Sequence, residues 1–167
     1  MEPRWLSQPE LGAWVRLVSV LELLPGVLDS QLRRDSDITH FEYFVLAMLS
    51  EAPDRTLRMT TLAAQTNATL ARLSNVVRRL EDRGLVARFP CPEDARATNA
   101  RLTADGWHKV RQAAPGHLNT VREHVIDVLT PAQVDQLRSI ADSILTSLDP
   151  KGTMTATYRR YDSEGAD

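Results

Sequence analysis

Apolar side chains recur at three- and four-residue steps along most of this chain, the period of helices that bury one face. Leu11, Trp14, Val18, Leu21, Leu28 and Leu32 make the first such stripe, opened by Ser7 and Glu10, a capping box with Pro9 in its first turn. The spacing predicts a helix to about Arg34, bent at Pro25-Gly26. Thr39 and Glu42 form a second box, ahead of Phe41, Phe44, Val45, Met48 and Leu49, and Ala52-Pro53-Asp54 ends that helix. Leu57-Arg58-Met59 reads as a short extended link. Thr60 or Thr61 then caps a short helix over Leu62-Ala63-Ala64, ending near Thr66-Asn67.

A further helix is predicted from Thr69 to Arg83, with Leu70, Leu73, Val77 and Leu80 facing inward and Gly84 at the left-handed position that stops it. Residues 85–89 and 99–102 read as two short strands, joined by a tip whose Pro90 and Pro92 are stiff and lack ladder donors. Thr103 caps a long helix to about Leu129, kinked at Pro115-Gly116. Thr130-Pro131-Ala132-Gln133 is a third box, launching Val134, Leu137, Ala141, Ile144 and Leu148. The expected fold is mainly α with a small β-hairpin wing. Residues 39–102 form a winged helix-turn-helix, flanked by dimerisation helices over residues 1–38 and 103–148, with a flexible tail over 149–167. The apolar seams of the flanks have little of their own chain to cover them. A two-fold homodimer is the economical way to bury them, and an intramolecular bundle is the alternative.

Composition narrows the class. Aromatics are 5% and glycines number 7, too few for an all-β sandwich, while 43% hydrophobic residues support a core. The longest uninterrupted apolar run, Phe44 to Leu49, is far shorter than a bilayer span, and the first ten residues lack the pattern of a secretory signal. No membrane partner and a cytoplasmic address are therefore expected. The single Cys91 excludes an intrachain disulfide. No Gly-rich phosphate loop, nucleophile elbow or zinc-protease pattern is present, so an enzyme is not expected, nor a cofactor.

Net charge changes the picture once it is divided. The total is −2, yet residues 1–54 carry −5, residues 55–101 carry +5 and residues 102–167 carry −2. Every basic residue of the middle segment is arginine, the side chain suited to phosphates and guanine edges, which points to double-stranded DNA as the partner. The outer face of the Thr69 helix carries Arg72, Ser74, Asn75, Arg78 and Arg79. Thr69, Arg72, Ser74 and Asn75 lead into a major groove, where Arg72 suits guanine O6/N7 and Asn75 suits adenine N6/N7. Arg78 and Arg79 fall to phosphates. Asp94 and Arg96 at the wing tip place a guanidinium on a stiff arm, as a minor-groove contact requires, with the acid beside it to hold it. A solvated helix face and a turn salt bridge are the bland alternatives.

Arg79-Leu80-Glu81-Asp82-Arg83-Gly84-Leu85-Val86-Ala87-Arg88, Pro92-Glu93-Asp94-Ala95-Arg96-Ala97 and Leu102-Thr103-Ala104-Asp105-Gly106 together resemble the signature of the MarR family, the multiple-antibiotic-resistance regulators. The resemblance implies a homodimeric winged-helix transcription regulator, usually a repressor, on a near-palindromic operator. It assigns Arg96 to the wing arginine and Arg72 and Asn75 to base-facing positions. Ala95 departs from the family, where a second basic residue is frequent, so the wing contact rests more on Arg96. Many members release DNA when a small aromatic or lipophilic effector enters between the dimer helices and the reading unit. Trp14, Phe44, Met48, Trp107 and His117 are the candidates to line such a space, with a core and interface role as the alternative. Cys91 on the wing makes a redox-responsive regulator a second reading, and a winged-helix protein-interaction module a third. His108, His117 and His124 share one predicted helix without a supporting carboxylate cluster, so no metal site is expected.

Overall fold

Five helices start where a hydroxyl side chain stands just ahead of them. Ser7, Thr39, Thr69, Thr103 and Thr130 each accept a hydrogen bond from the backbone N–H three residues on, satisfying one of the orphan donors of a helix start. All three predicted capping boxes are closed in both directions. The computed structural model describes residues 3–162. Its elements are α1 (Gln8–Ser36), α2 (His40–Ser50), β1 (Thr56–Arg58), α3 (Met59–Gln65), α4 (Leu70–Asp82), β2 (Val86–Cys91), β3 (Asp94–Leu102), α5 (Ala104–Val121), α6 (Pro131–Leu148) and α7 (Thr155–Tyr158).

The sheet is antiparallel in the order β1-β3-β2, so the winged helix-turn-helix expected from the sequence is present. Two readings of it are corrected. The extended link at Leu57-Arg58 is a true strand, paired Thr56 to Arg101 and Arg58 to Asn99. The hairpin also runs further than residues 85–89 and 99–102: only Pro92-Glu93 is left as the tip, and a register shift at Pro90/Cys91 absorbs the prolines. Arg58, not Thr60 or Thr61, stands at the start of α3, without a side-chain cap.

One core holds the reading unit together. Leu32, Ile38, Val45, Leu46, Leu49, Leu62, Leu73, Val77, Leu80 and Val86 are fully buried there. Gly84 takes φ +73° as predicted, turning the chain from α4 into the wing. Asp54 and Arg55 also adopt left-handed φ values, 52° and 53°, a costly turn for residues with a Cβ. Arg55 is held there over the Trp107 ring at 4.1 Å.

The flanks differ from expectation in detail. α1 continues through Pro25 as one helix, and α5 continues through Pro115. The irregularity of the second flank comes later, as a π turn at Arg122–Ile126 before α6. Along α1 only Leu28, Gln31, Leu32 and Ser36 are buried, whereas Leu11, Trp14, Val20, Leu21 and Leu23 are exposed. By length and composition α1 is apolar enough to cross a membrane. No residue of α6 is buried. The tail, expected to be flexible from residue 149, instead folds back over α2 and α3 through Asp162, because Asp149 gathers the donors of Thr153 and Met154 into a turn. Residues 163–167 lie outside the described residues.

Candidate nucleic-acid interface

α4 is positioned by a tight turn after α3. Thr66 Oγ1 donates to the Leu62 carbonyl at 2.7 Å, Asn67 takes φ +50°, and Thr69 Oγ1 accepts from the Arg72 N–H at 3.2 Å. Leu73, Val76, Val77 and Leu80 bury one face of α4. This leaves Ala71, Arg72, Asn75, Arg78, Arg79 and Asp82 exposed on the other, with Ser74 half-buried between them. Leu70, expected to point inward, is instead 50% exposed, and Val76 takes its place in the core.

The exposed side chains are pre-arranged rather than loose. The Arg72 guanidinium lies 4.0 Å from the centre of the Phe41 ring, which limits its rotamers before any DNA arrives. Arg78 Nη2 donates to Asn75 Oδ1 at 3.2 Å. That oxygen keeps a second lone pair for an adenine amino group, while Asn75 Nδ2 remains to donate to N7. The structure places Arg79 against Glu42, with Nε 3.5 Å from Oε1 of that buried carboxylate. Arg83 is similarly engaged, donating to the Asp37 carbonyl at 2.9 Å.

The wing is fastened to the end of α4 by Glu81. Its carboxylate accepts from the Arg88 N–H at 3.0 Å and from Arg88 Nε and Nη2 at 3.0 and 2.9 Å. These donors, the backbone N–H foremost, hold the Glu81 carboxyl below its usual pKa. At the tip the Arg96 side chain is 99% exposed, its Nε 4.0 Å from Asp94 Oδ1, which also accepts the Arg96 N–H at 3.1 Å. Asp94 thus shapes the turn and leaves the guanidinium reaching outward. Between wing and α4 runs a groove lined by Thr60, Leu70, Ser74, Arg96 and Thr98. Leu70 is the member that periodicity assigned to the core. In this groove its side chain suits a thymine methyl group. Cys91 is buried beside the tip, where the N–H groups of Glu93 and Asp94 lower its thiol pKa.

The five candidate effector residues fall in separate surroundings. Trp14 stands on the exposed part of α1. Phe44 and Trp107 pack on the core, and buried Met48 lies under the tail through Thr157 and Arg160. His117 sits 4.5 Å from the Tyr43 ring and 6.0 Å from the His40 ring. Nearby, Gln31 is only 5% exposed, its Nε2 donating to Asp35 and bounding the space beside Gly116. Gln31 Oε1 and His117 Nδ1 are both buried without a partner. Among the described residues no three His, Cys, Asp or Glu side chains are grouped to hold a metal.

Burial lowers the pKa of both His40 and His117, more than the Asp29 carboxylate near His40 restores. Below the ordinary imidazole value of about 6.5, the unfolded chain therefore binds protons that the native chain refuses. The stability from these two groups is fully present above that pH and is lost as pH falls toward their native pKa values. Thermal melts between pH 7.5 and 5 are expected to show falling Tm, with a shallower fall in His117→Gln. An identical slope in that variant would show that the ring does not titrate between the two states.

A sequence profile of the MarR family matches residues 38–98. A MarR family transcriptional regulator from Streptomyces coelicolor, solved in complex with DNA, is 43% identical, covers 88% of this chain and 92% of its own, and superposes with a TM-score of 0.85. AbsC, a second MarR family regulator from that organism, is 35% identical over 87% of this chain and 98% of its own, with a TM-score of 0.83. The HTH-type transcriptional repressor YetL of Bacillus subtilis is 27% identical over 110 residues, which span 60% of this chain and 66% of that relative.

Proposed function

The chain belongs to the MarR family, and from that premise we propose that it is a transcriptional repressor that binds a near-palindromic operator as a homodimer in the cytoplasm. One observation carries the reading: Ser74 and Leu70 on α4 and Arg96 on the wing line a single groove, and Arg72 and Asn75 stand exposed on the outer face of the same helix. The helix supplies base-edge donors for the major groove, and the wing supplies a free guanidinium for the adjacent minor groove. Thr69 and Arg78 then meet the backbone. Arg79 pairs with Glu42 through Nε at 3.5 Å and, 54% exposed, keeps its other guanidinium donors for a phosphate. The name of the Bacillus relative supports repression rather than activation.

The dimer is supported by what a single chain leaves uncovered. Val20, Leu21 and Leu23 of α1 and Leu137, Ile140 and Ile144 of α6 are exposed, a set of large apolar side chains left to water along both helices. Two-fold pairing of these helices accounts for it, and for the membrane-like length of α1. An effector is supported at one of the five residues the sequence suggests, His117, where the flanking helices meet the reading unit. Two unpartnered polar atoms, Gln31 Oε1 and His117 Nδ1, lie where α1 and α5 meet beside the rings of Tyr43 and His40. A small ligand whose polar group reached either atom would satisfy it.

The test is binding to duplexes from the protein's own upstream region over a salt series. Arg96→Ala is expected to weaken binding to every sequence and to lower the salt slope by about one per protomer. Arg72→Ala and Asn75→Ala should instead lose discrimination, by about 1–3 kcal/mol for each bidentate contact. Affinity that ignores both salt and sequence would sink the regulator reading, and unchanged sequence preference in the two α4 variants would sink the base assignment.

A further inference from the structure

We infer that residues 149–162 form a strut that fixes each reading unit against the dimer helices and so sets the operator half-site spacing, with Arg160 and Glu51 as its positioning pair. The inference rests on the DNA-binding reading above. The strut begins where α6 ends. The Asp149 carboxylate accepts from the Thr153 N–H and hydroxyl, both at 2.8 Å, from the Met154 N–H at 2.9 Å and from the Tyr158 hydroxyl at 3.3 Å. These donors, the Met154 N–H foremost, keep Asp149 below the usual carboxylate pKa and bend the chain back on itself.

The returning segment then touches the reading unit at two places that bear on α4. Thr157 Oγ1 donates to the Gln65 carbonyl at 2.9 Å. Gln65 is the last residue of α3, directly ahead of the turn that aims the recognition helix. Arg160 Nη1 pairs with Glu51 Oε2 at 2.5 Å at the end of α2, with Nη2 3.8 Å from Met48 Sδ. The Tyr161 hydroxyl bonds the same Glu51 carboxylate at 3.3 Å. Finally Asp162 returns to α6, accepting from Arg138 Nη2 at 3.0 Å.

The segment therefore leaves α6, grips α2 and α3, and closes back on α6. An exposed ion pair alone would hold little. Here the Arg160 side chain is only 20% exposed and acts with three neighbouring contacts, so breaking it frees a whole lever. Among the described residues, α6 has no other side-chain hydrogen bond path to α2, α3 or α4. With the strut fastened, the two reading helices of a dimer stand at one separation, and a wrongly spaced operator must be bent or twisted to fit.

The experiment uses the full chain and duplexes carrying the palindrome that the wild-type protein selects from a random pool, with the half-site spacing changed by one to three base pairs. Wild type is expected to lose about tenfold or more in affinity at the wrong spacings. Arg160→Ala and Glu51→Gln should compress that penalty to about threefold or less while remaining folded dimers in melts and sedimentation. The charge exchange Glu51→Arg with Arg160→Glu should restore the sharp profile, which a loss of fold could not do. Wild-type spacing profiles in the single variants, or no restoration by the exchange, would overturn the strut. A wild-type protein that selects no duplex would overturn the regulator reading and the strut with it.

Discussion

Replacing Gly106 with alanine is expected to destabilise the protein by about 3 kcal/mol or more, lowering Tm by roughly 10 °C. Gly106 is the third residue of α5, and its N–H donates to Thr103 Oγ1 at 3.0 Å. A Cβ there would stand 2.1 Å from the Leu85 carbonyl oxygen and 2.6 Å from Leu102 Cδ1. Neither neighbour is free to retreat. The Leu85 carbonyl accepts the Thr103 N–H at 3.1 Å, and Leu102 is buried at the base of the wing. Alanine would gain about 1 kcal/mol of helix propensity, which the overlap exceeds. Gly26 is the internal control, since a Cβ added there meets nothing within 4 Å. Gly26→Ala should raise stability by up to about 1 kcal/mol. Urea titrations of both variants decide the matter: a Gly106→Ala protein as stable as wild type would show that α5 does not approach the wing this closely.

Leu23→Glu should abolish tight operator binding without unfolding the chain. Leu23 is 71% exposed on α1, so a carboxylate costs the isolated fold little. Its neighbours Val20, Leu24 and Val27, with His124 and Val125, line a shallow apolar groove, where the proposed dimer would seat a second copy. Within a closed dimer the glutamate would lose water without gaining a partner, which disfavours association by several kcal/mol. Each freed protomer would then hold one half-site, and losing the second attachment should lower affinity by about 10²–10⁴-fold. Sedimentation and operator titration on the same sample test this together. A variant that stays dimeric and binds as wild type does would remove the α1 seam from the interface.

The parts of this molecule that were legible in its sequence are those with local causes. Hydroxyl caps at Ser7, Thr39, Thr69, Thr103 and Thr130 act within one turn, and Gly84 acts at its own φ, so each marks its boundary directly. The outer face of α4 and the Asp94–Arg96 tip follow in the same way. Features that depend on distant partners were not legible. β1 is a strand only because residues 99–101 lie beside it. Leu70 fits the apolar period of α4, but it stands on the side of the first turn away from the core and lines the groove instead. The pairing of Arg79 with Glu42 likewise depends on folding that brings α2 beside α4. The tail is poor in large apolar residues and reads as flexible. What fastens it is a set of polar contacts to Glu51 and Gln65, which no local pattern announces.

The seam-bearing helices also lie at opposite ends of the chain, which has a consequence for synthesis. The apolar face of α1 leaves the ribosome first, yet about a hundred residues must follow before α6 is complete. At elongation speeds of about 5–20 residues per second, that interval lasts roughly 5–20 s. During it the core that Leu32 of α1 shares with the reading unit can assemble, while the exposed face of α1 waits uncovered. Nascent chains arrested before Thr130 should therefore recruit a hydrophobic-binding chaperone through α1, and Leu23→Glu should reduce that capture. Equal capture of both would place the vulnerable surface elsewhere.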